Sequence, residues 1–221
     1  MEFNKYFDHT LLTPEATPSD ILKLVSEAVQ NDFAAVCVNG CYVRSARRFI
    51  EGAGADVKVA AVCGFPLGAM STNAKAYEAQ LALEDGAQEI DLVMNIGQAK
   101  AGNWAYIEDE VAAISEMCHE DGAILKLIIE TCLLTDEEIV QACESAVEAE
   151  ADFVKTSTGF STGGATVEAV RLMKETVGDK TLVKASGGIR TLADAEAMID
   201  AGADRLGCSA SVEIINEYNQ K

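Results

Sequence analysis

The sequence predicts a closed (β/α)8 barrel, the TIM-barrel architecture, formed by a single domain over residues 1–221. Three observations predict it. Eight short apolar runs rich in β-branched residues recur along the whole chain, as strands covered on both faces do. Stretches with helical spacing lie between them. Small-residue turns such as "EGAGADVKV", "EDGAQEIDL", "EDGAILKL", "EAEADFVK" and "DAGADRLG" stop a helix and start the next strand. An open doubly wound sheet is the rival, but the first βα turn carries no Gly-x-Gly-x-x-Gly.

The expected strands are Asp8–Leu12, Ala34–Asn39, Lys58–Gly64, Glu89–Asn95, Ile124–Thr131, Phe153–Ser157, Thr181–Gly187 and Arg205–Cys208. Eight helices should alternate with them. "SDILKLVSEAVQ" places Ile21, Leu24, Val25, Ala28 and Val29 on one face, with Ser19 as its N-cap. "STNAKAYEAQLALEDGA" reads as a helix capped by Ser71 or Thr72. "TDEEIVQACESAVEAEA" opens with Thr135 three residues before Glu138, the capping-box spacing.

The formal net charge of -19 argues against a nucleic-acid partner, because backbone binding needs clustered Lys and Arg. It leaves room for one small phosphate, which a few backbone N–H groups can hold. No apolar signal core and no membrane-spanning segment is visible. The seven cysteines are odd in number and form no Cys-x-x-Cys, so they read as free thiols of a cytoplasmic protein. A zinc set drawn from Cys37, Cys41 and His9 or His119 matches no usual spacing, and no metal is expected.

The chemistry is expected from polar residues inside strands. Alternation puts Asp91 with Val93 and Asn95, Lys126 with Ile128 and Glu130, Lys155 with Phe153 and Ser157, and Lys184 with Ser186. One facing of each strand collects these groups inside the barrel, where Asp91 and Glu130 could neutralise lysines. Each also has a plainer reading: Lys155 as an edge or snorkelling lysine, Asp91 as a simple partner of a nearby cation, Lys126 and Glu130 as a structural ion pair. The conjunction favours chemistry. Lys155 and Lys184 on adjacent strands crowd two cations into one dry cavity, and crowding and desolvation both favour the neutral amine. A neutral lysine forms Schiff bases with carbonyls.

Three glycine-bearing stretches, "STGFSTGGAT", "SGGIRT" and "GCSAS", follow late strands and precede helical patterns. In such barrels the turns after strands seven and eight often hold phosphate. Ser209 could add a hydroxyl donor. Arg190 reads either as a phosphate ligand or as a solvated turn residue.

With "DHTLL", "GFPLGA", "EIDLVMNIG", "LKLIIET", "FVKTSTGF", "VKASGGIRT" and "GCSAS" in view, the chain resembles the class I 2-deoxyribose-5-phosphate aldolase family over nearly its whole length. The resemblance implies a barrel without metal or organic cofactor that reversibly cleaves a sugar phosphate to acetaldehyde and glyceraldehyde 3-phosphate. It implies Lys155 as the Schiff-base lysine and Lys184 as the second lysine that tunes it and moves protons. Asp91 would position a water or relay protons. Asp8, Thr10 and Lys126 would line the pocket, and Gly159, Gly187, Gly188, Gly207 and Ser209 would bind the phosphate. Expected partners are a small sugar phosphate and aldehydes, with neither nucleic acid nor membrane, and a homo-oligomer is compatible with the chain. The sequence departs from the family at Cys208, where similar sequences carry Thr, Ala or another small residue. Some relatives also end in a tyrosine that assists proton transfer, and Tyr218 stands near the end here. The rivals are a sugar-phosphate barrel enzyme without a Schiff base, and a non-catalytic phosphometabolite-binding protein.

Overall fold

The computed structural model describes residues 1–221. Eight parallel strands close in sequence order: β1 (Phe7–Leu11), β2 (Ala35–Val38), β3 (Lys58–Cys63), β4 (Glu89–Val93), β5 (Ile124–Ile128), β6 (Phe153–Lys155), β7 (Leu182–Ser186) and β8 (Arg205–Cys208). β8 pairs back onto β1 through Phe7 with Leu206 and Asp8 with Gly207, so no edge is left open. The barrel class is as the sequence predicts.

Nine helices rather than eight surround it: α1 (Pro18–Gln30), α2 (Val43–Ala53), α3 (Thr72–Glu84), α4 (Ile96–Lys100), α5 (Trp104–Glu120), α6 (Asp136–Glu148), α7 (Val167–Val177), α8 (Leu192–Asp200) and α9 (Ser211–Tyr218). The extra one, α4, exists because Asn95 leaves the strand and caps a short turn, its side chain accepting from the Gln98 N–H at 3.2 Å. The start of α1 also differs from expectation. Thr17, not Ser19, is the N-cap, with Pro18 in the first turn and Asp20 completing a capping box. The Thr135–Glu138 box forms at α6, and Ser71 precedes α3 without a side-chain cap.

Two apolar layers hold the fold. A 53-residue cluster lies between the outer strand faces and the helices and forms the main core. Inside the barrel a small apolar cluster of Leu12, Cys37, Ala60 and Val62, with Phe65 against it, fills one side, and Val93, Ile128 and Phe153 share the inward faces of the charged strands. Small side chains on β2 and β3 thus fill one half of the interior, and mostly charged ones fill the other. Outside the barrel, buried Lys75 of α3 donates to Glu110 of α5 (2.6 Å) and to the Val93 carbonyl (2.8 Å), tying two helices to the top of β4.

Candidate active site

The strand registers bring the inward polar residues together. Asp91 pairs with Lys126, and Lys155 with Lys184. Asp91 is the hub: it accepts from Lys126 (2.8 Å), Lys155 (2.8 Å) and Lys184 (2.9 Å). Asp8 accepts from Lys184 and from Arg205 (2.6 Å) and lies 3.6 Å from Lys126. Glu89 accepts from Lys126 and lies 3.6 Å from Arg205. Asp8, Glu89 and Asp91 therefore face Lys126, Lys155, Lys184 and Arg205, three carboxylates against four cations.

Burial alone would raise the carboxyls and strip the amines of charge, but the pairing reverses both. Lys184 and Arg205 hold Asp8 below the ordinary carboxylate range. Lys126, Lys155 and Lys184 do the same to Asp91. Asp8 and Asp91 overcome desolvation and hold the Lys184 amine above its ordinary value, and Asp91 and Glu89 do so for Lys126. This corrects one expectation. Crowding does not neutralise Lys184, because two carboxylates sit within hydrogen-bond reach of it.

Two further corrections concern Glu130 and the depth of Asp8 and Lys126. Glu130 does not neutralise a lysine. β5 ends at Ile128, and Glu130 takes a left-handed backbone (φ 55) that turns it away from the strand face. Its carboxylate instead accepts from the Thr158 N–H (3.2 Å) and hydroxyl (2.5 Å). Asp8 and Lys126, expected along the pocket wall, are fully buried one layer beneath it.

The cavity opens at the C-terminal ends of β1 and β6–β8, where barrel enzymes carry their sites. Of the three barrel lysines only Lys155 lines it; Lys126 and Lys184 are wholly covered. Thr10, Gly159, Gly187, Gly188, Gly207 and Ser209 also line it, as does Arg190. Gly187 and Gly188 adopt φ values of 84° and 85°, which turn the loop after β7 and favour glycine. Gly207 has a second use: a Cβ there would lie 3.0 Å from the Lys184 Cε, so its bareness gives that lysine its path. Cys208 also borders the cavity, while its thiol packs into the outer core beside the Ser211 hydroxyl at 3.3 Å. Tyr218 lies at the opposite end of the barrel, stacked on Phe3 with ring centroids 4.3 Å apart. Of the disfavoured zinc set, Cys37 faces the interior, His9 contacts Glu27 on α1 (3.0 Å), and His119 contacts Asp152 (3.0 Å).

A family model described as "DeoC/LacD family aldolase" matches residues 3–214. The chain belongs to the DeoC/LacD family of aldolases. It is 55% identical to the deoxyribose-phosphate aldolase of Finegoldia magna, covering 97% of this chain and 99% of that one. It is 56% identical to the deoxyribose-phosphate aldolase of Thermococcus gammatolerans, covering 97% and 96%. Among solved structures, the tetrameric deoxyribose phosphate aldolase of Aeropyrum pernix superposes with a TM-score of 0.92 at 34% identity, covering 98% of this chain and 91% of that one.

In this DeoC/LacD-family barrel, four contributors escaped the sequence reading. Glu89 and Arg205 share an inward face with Asp91 and Gly207, so period-two alternation could have found them. Thr158 lines the cavity from the loop after β6. Gly164 packs so closely on the next loop that a Cβ would lie 2.2 Å from the Gly187 carbonyl oxygen. Gly164→Ala must therefore push two cavity loops apart. Its expected result is a KM for a phosphorylated substrate raised about tenfold or more, with a stability loss of about 1–3 kcal/mol, read from steady-state kinetics and urea melts.

The buried network also sets the family member's pH response. Asp8 and Asp91 carry folded-state pKa values below their unfolded ones. Their stabilisation is present above about pH 4 and is lost as pH falls from there. Lys126 and Lys184 are shifted upward, so their share is present at neutral pH and lost only above about pH 10. Urea midpoints should be flat from about pH 5 to 9 and fall on both sides. A midpoint unchanged down to pH 2 would contradict the network.

Proposed function

We propose that the chain, as one catalytic domain over residues 1–221, is a class I aldolase that reversibly cleaves 2-deoxy-D-ribose 5-phosphate to acetaldehyde and D-glyceraldehyde 3-phosphate. The observation that carries the mechanism is the position of Lys155. It is the barrel lysine that reaches the cavity, while its two neighbours stay sealed beneath. Membership of the aldolase family and the names of its relatives support the substrate.

In this reading the phosphate lies against the loops bearing Gly159, Gly187, Gly188 and Ser209, with Gly207 beside them, and remote binding there orients the sugar. The Lys155 amine adds to C1 of the open-chain aldehyde, and loss of water gives an iminium. The C2–C3 bond then breaks. Its electrons pass into the iminium to form an enamine, and the 3-hydroxyl gives up its proton as it becomes the aldehyde of glyceraldehyde 3-phosphate. A water in the cavity takes that proton, above the Asp91–Lys184 pair that lies in direct contact (2.9 Å) beneath Lys155. C2 of the enamine is protonated through the same relay, water adds to C1, and acetaldehyde leaves with the amine restored. A Lys184 held as ammonium does not reach the substrate itself but can feed protons to this point through Asp91, which it shares with Lys155. Covalent catalysis divides one hard step into easier ones.

The test is release of acetaldehyde from 2-deoxyribose 5-phosphate, coupled to an alcohol dehydrogenase. Stabilisation by the sugar phosphate without acetaldehyde release would favour a binding protein instead. Self-association belongs to the same reading, supported by the tetrameric description of one structural neighbour. So does a reducing, cytoplasmic setting, supported by free thiols buried at Cys37, Cys63, Cys118, Cys143 and Cys208. No helix is long and apolar enough to cross a membrane.

A further inference from the structure

The interior holds one more cation than the proposed chemistry uses. Arg205 opens β8 on the inward face. Its guanidinium reaches Asp8 (2.6 Å), lies 3.6 Å from Glu89, and sits 5.8 Å from the centre of the Phe153 ring. It is absent from the cavity wall and so touches no substrate. We propose that Arg205 is a positioning residue acting by charge: by taking up carboxylate on Asp8 and Glu89, it leaves the interior electrically balanced only when Lys155 is uncharged. The proposal rests on the reading of Lys155 as the nucleophile.

The charges come from the strands around the cluster; Glu130, a buried carboxylate just past β5, is bound by Thr158 and contacts none of these cations. β1 supplies Asp8, β4 supplies Glu89 and Asp91, and β5 to β8 supply Lys126, Lys155, Lys184 and Arg205. β3 offers apolar Ala60 and Val62, and Lys58, which starts the strand on the same face, is partly open to solvent and paired with Asp56 (2.6 Å) outside the cluster. β2 offers Cys37, whose thiol burial and Asp91 push up to about 11, so it adds no charge at neutral pH. An uncompensated charge in such an interior costs several kcal/mol. A guanidinium does not release its proton in a protein. Lys126 and Lys184 each contact at least two carboxylates. Lys155 contacts one, Asp91, and shares it with both other lysines. It is also the amine that opens to the cavity, where the released proton has an exit.

Charge-changing variants test this by sign. The measurement is kcat/KM against pH with 2-deoxyribose 5-phosphate. Arg205→Met removes the surplus cation, and the acidic limb of the profile should move to higher pH by about one unit. Glu89→Gln removes a carboxylate, and the limb should move to lower pH. The double variant Arg205→Met/Glu89→Gln restores the original balance and should return the limb to the wild-type position. Equal lowering at every pH, shifts of the same sign, or a double variant displaced further than either single would overturn the proposal. If Arg205→Met alone does not fold, Glu89→Gln and the double variant still give the sign. Borohydride trapping of wild-type enzyme with acetaldehyde separates the two levels. No adduct on Lys155 defeats the Schiff-base reading, whereas an adduct with immobile pH limbs defeats only the role of Arg205.

Discussion

Lys155→Met is expected to abolish aldol cleavage while leaving a folded barrel. Lys155 is the barrel lysine at the cavity, and removing a covalent nucleophile typically costs about 10⁴–10⁶-fold in kcat. Lys126 and Lys184 have no route to a bound aldehyde, since both are sealed and committed to Asp8, Glu89 or Asp91. No substitute amine is therefore available. The substitution also leaves three cations facing three carboxylates, so the interior stays balanced and the thermal midpoint should hold near wild type. Activity within tenfold of wild type would contradict the assignment. Loss of activity with loss of fold would contradict the charge count.

Asp91→Asn should have the largest effect on stability. Asp91 accepts from three lysines, and the change leaves Lys126, Lys184 and Arg205 facing Asp8 and Glu89 alone, with Lys155 deprived of its one carboxylate. Breaking a buried ion pair from one side costs about 3–5 kcal/mol, a large fraction of the 5–15 kcal/mol that holds a domain folded. The sign of its pH response is diagnostic. Unpaired buried ammoniums have folded-state pKa values below the unfolded ones, so the variant should regain stability as pH rises from 7 toward 10. Wild type should be flat over most of that range. Urea melts at pH 7 and pH 9.5 read both quantities. A loss below about 1 kcal/mol at pH 7 would mean that the hub is dispensable.

Much of this arrangement was legible in the chain. Eight apolar runs and their small-residue turns are direct consequences of strands buried on both faces, and the barrel follows from them. Alternation correctly placed Asp91, Lys126, Lys155 and Lys184 on inward faces, because register in a closed sheet leaves no other side. What escaped depends on facts beyond one strand. Glu130 follows the same alternation but leaves β5 at a left-handed residue, which periodicity does not reveal. Depth within the barrel comes from strand tilt and stagger, so Asp8 and Lys126 could be placed inward but not below the cavity. The protonation of Lys184 depends on which carboxylates converge on it from β1 and β4, and only the closed fold brings those strands across from β7. Tyr218 needed the path of α9, which carries it to the far end of the barrel beside Phe3.

The most direct measurement is peptide mass mapping after borohydride reduction with acetaldehyde. The account predicts a two-carbon ethyl adduct on the peptide containing Lys155, and none on those containing Lys184 or Lys126. An adduct on Lys184, or substrate turnover with no reducible intermediate at all, would contradict it.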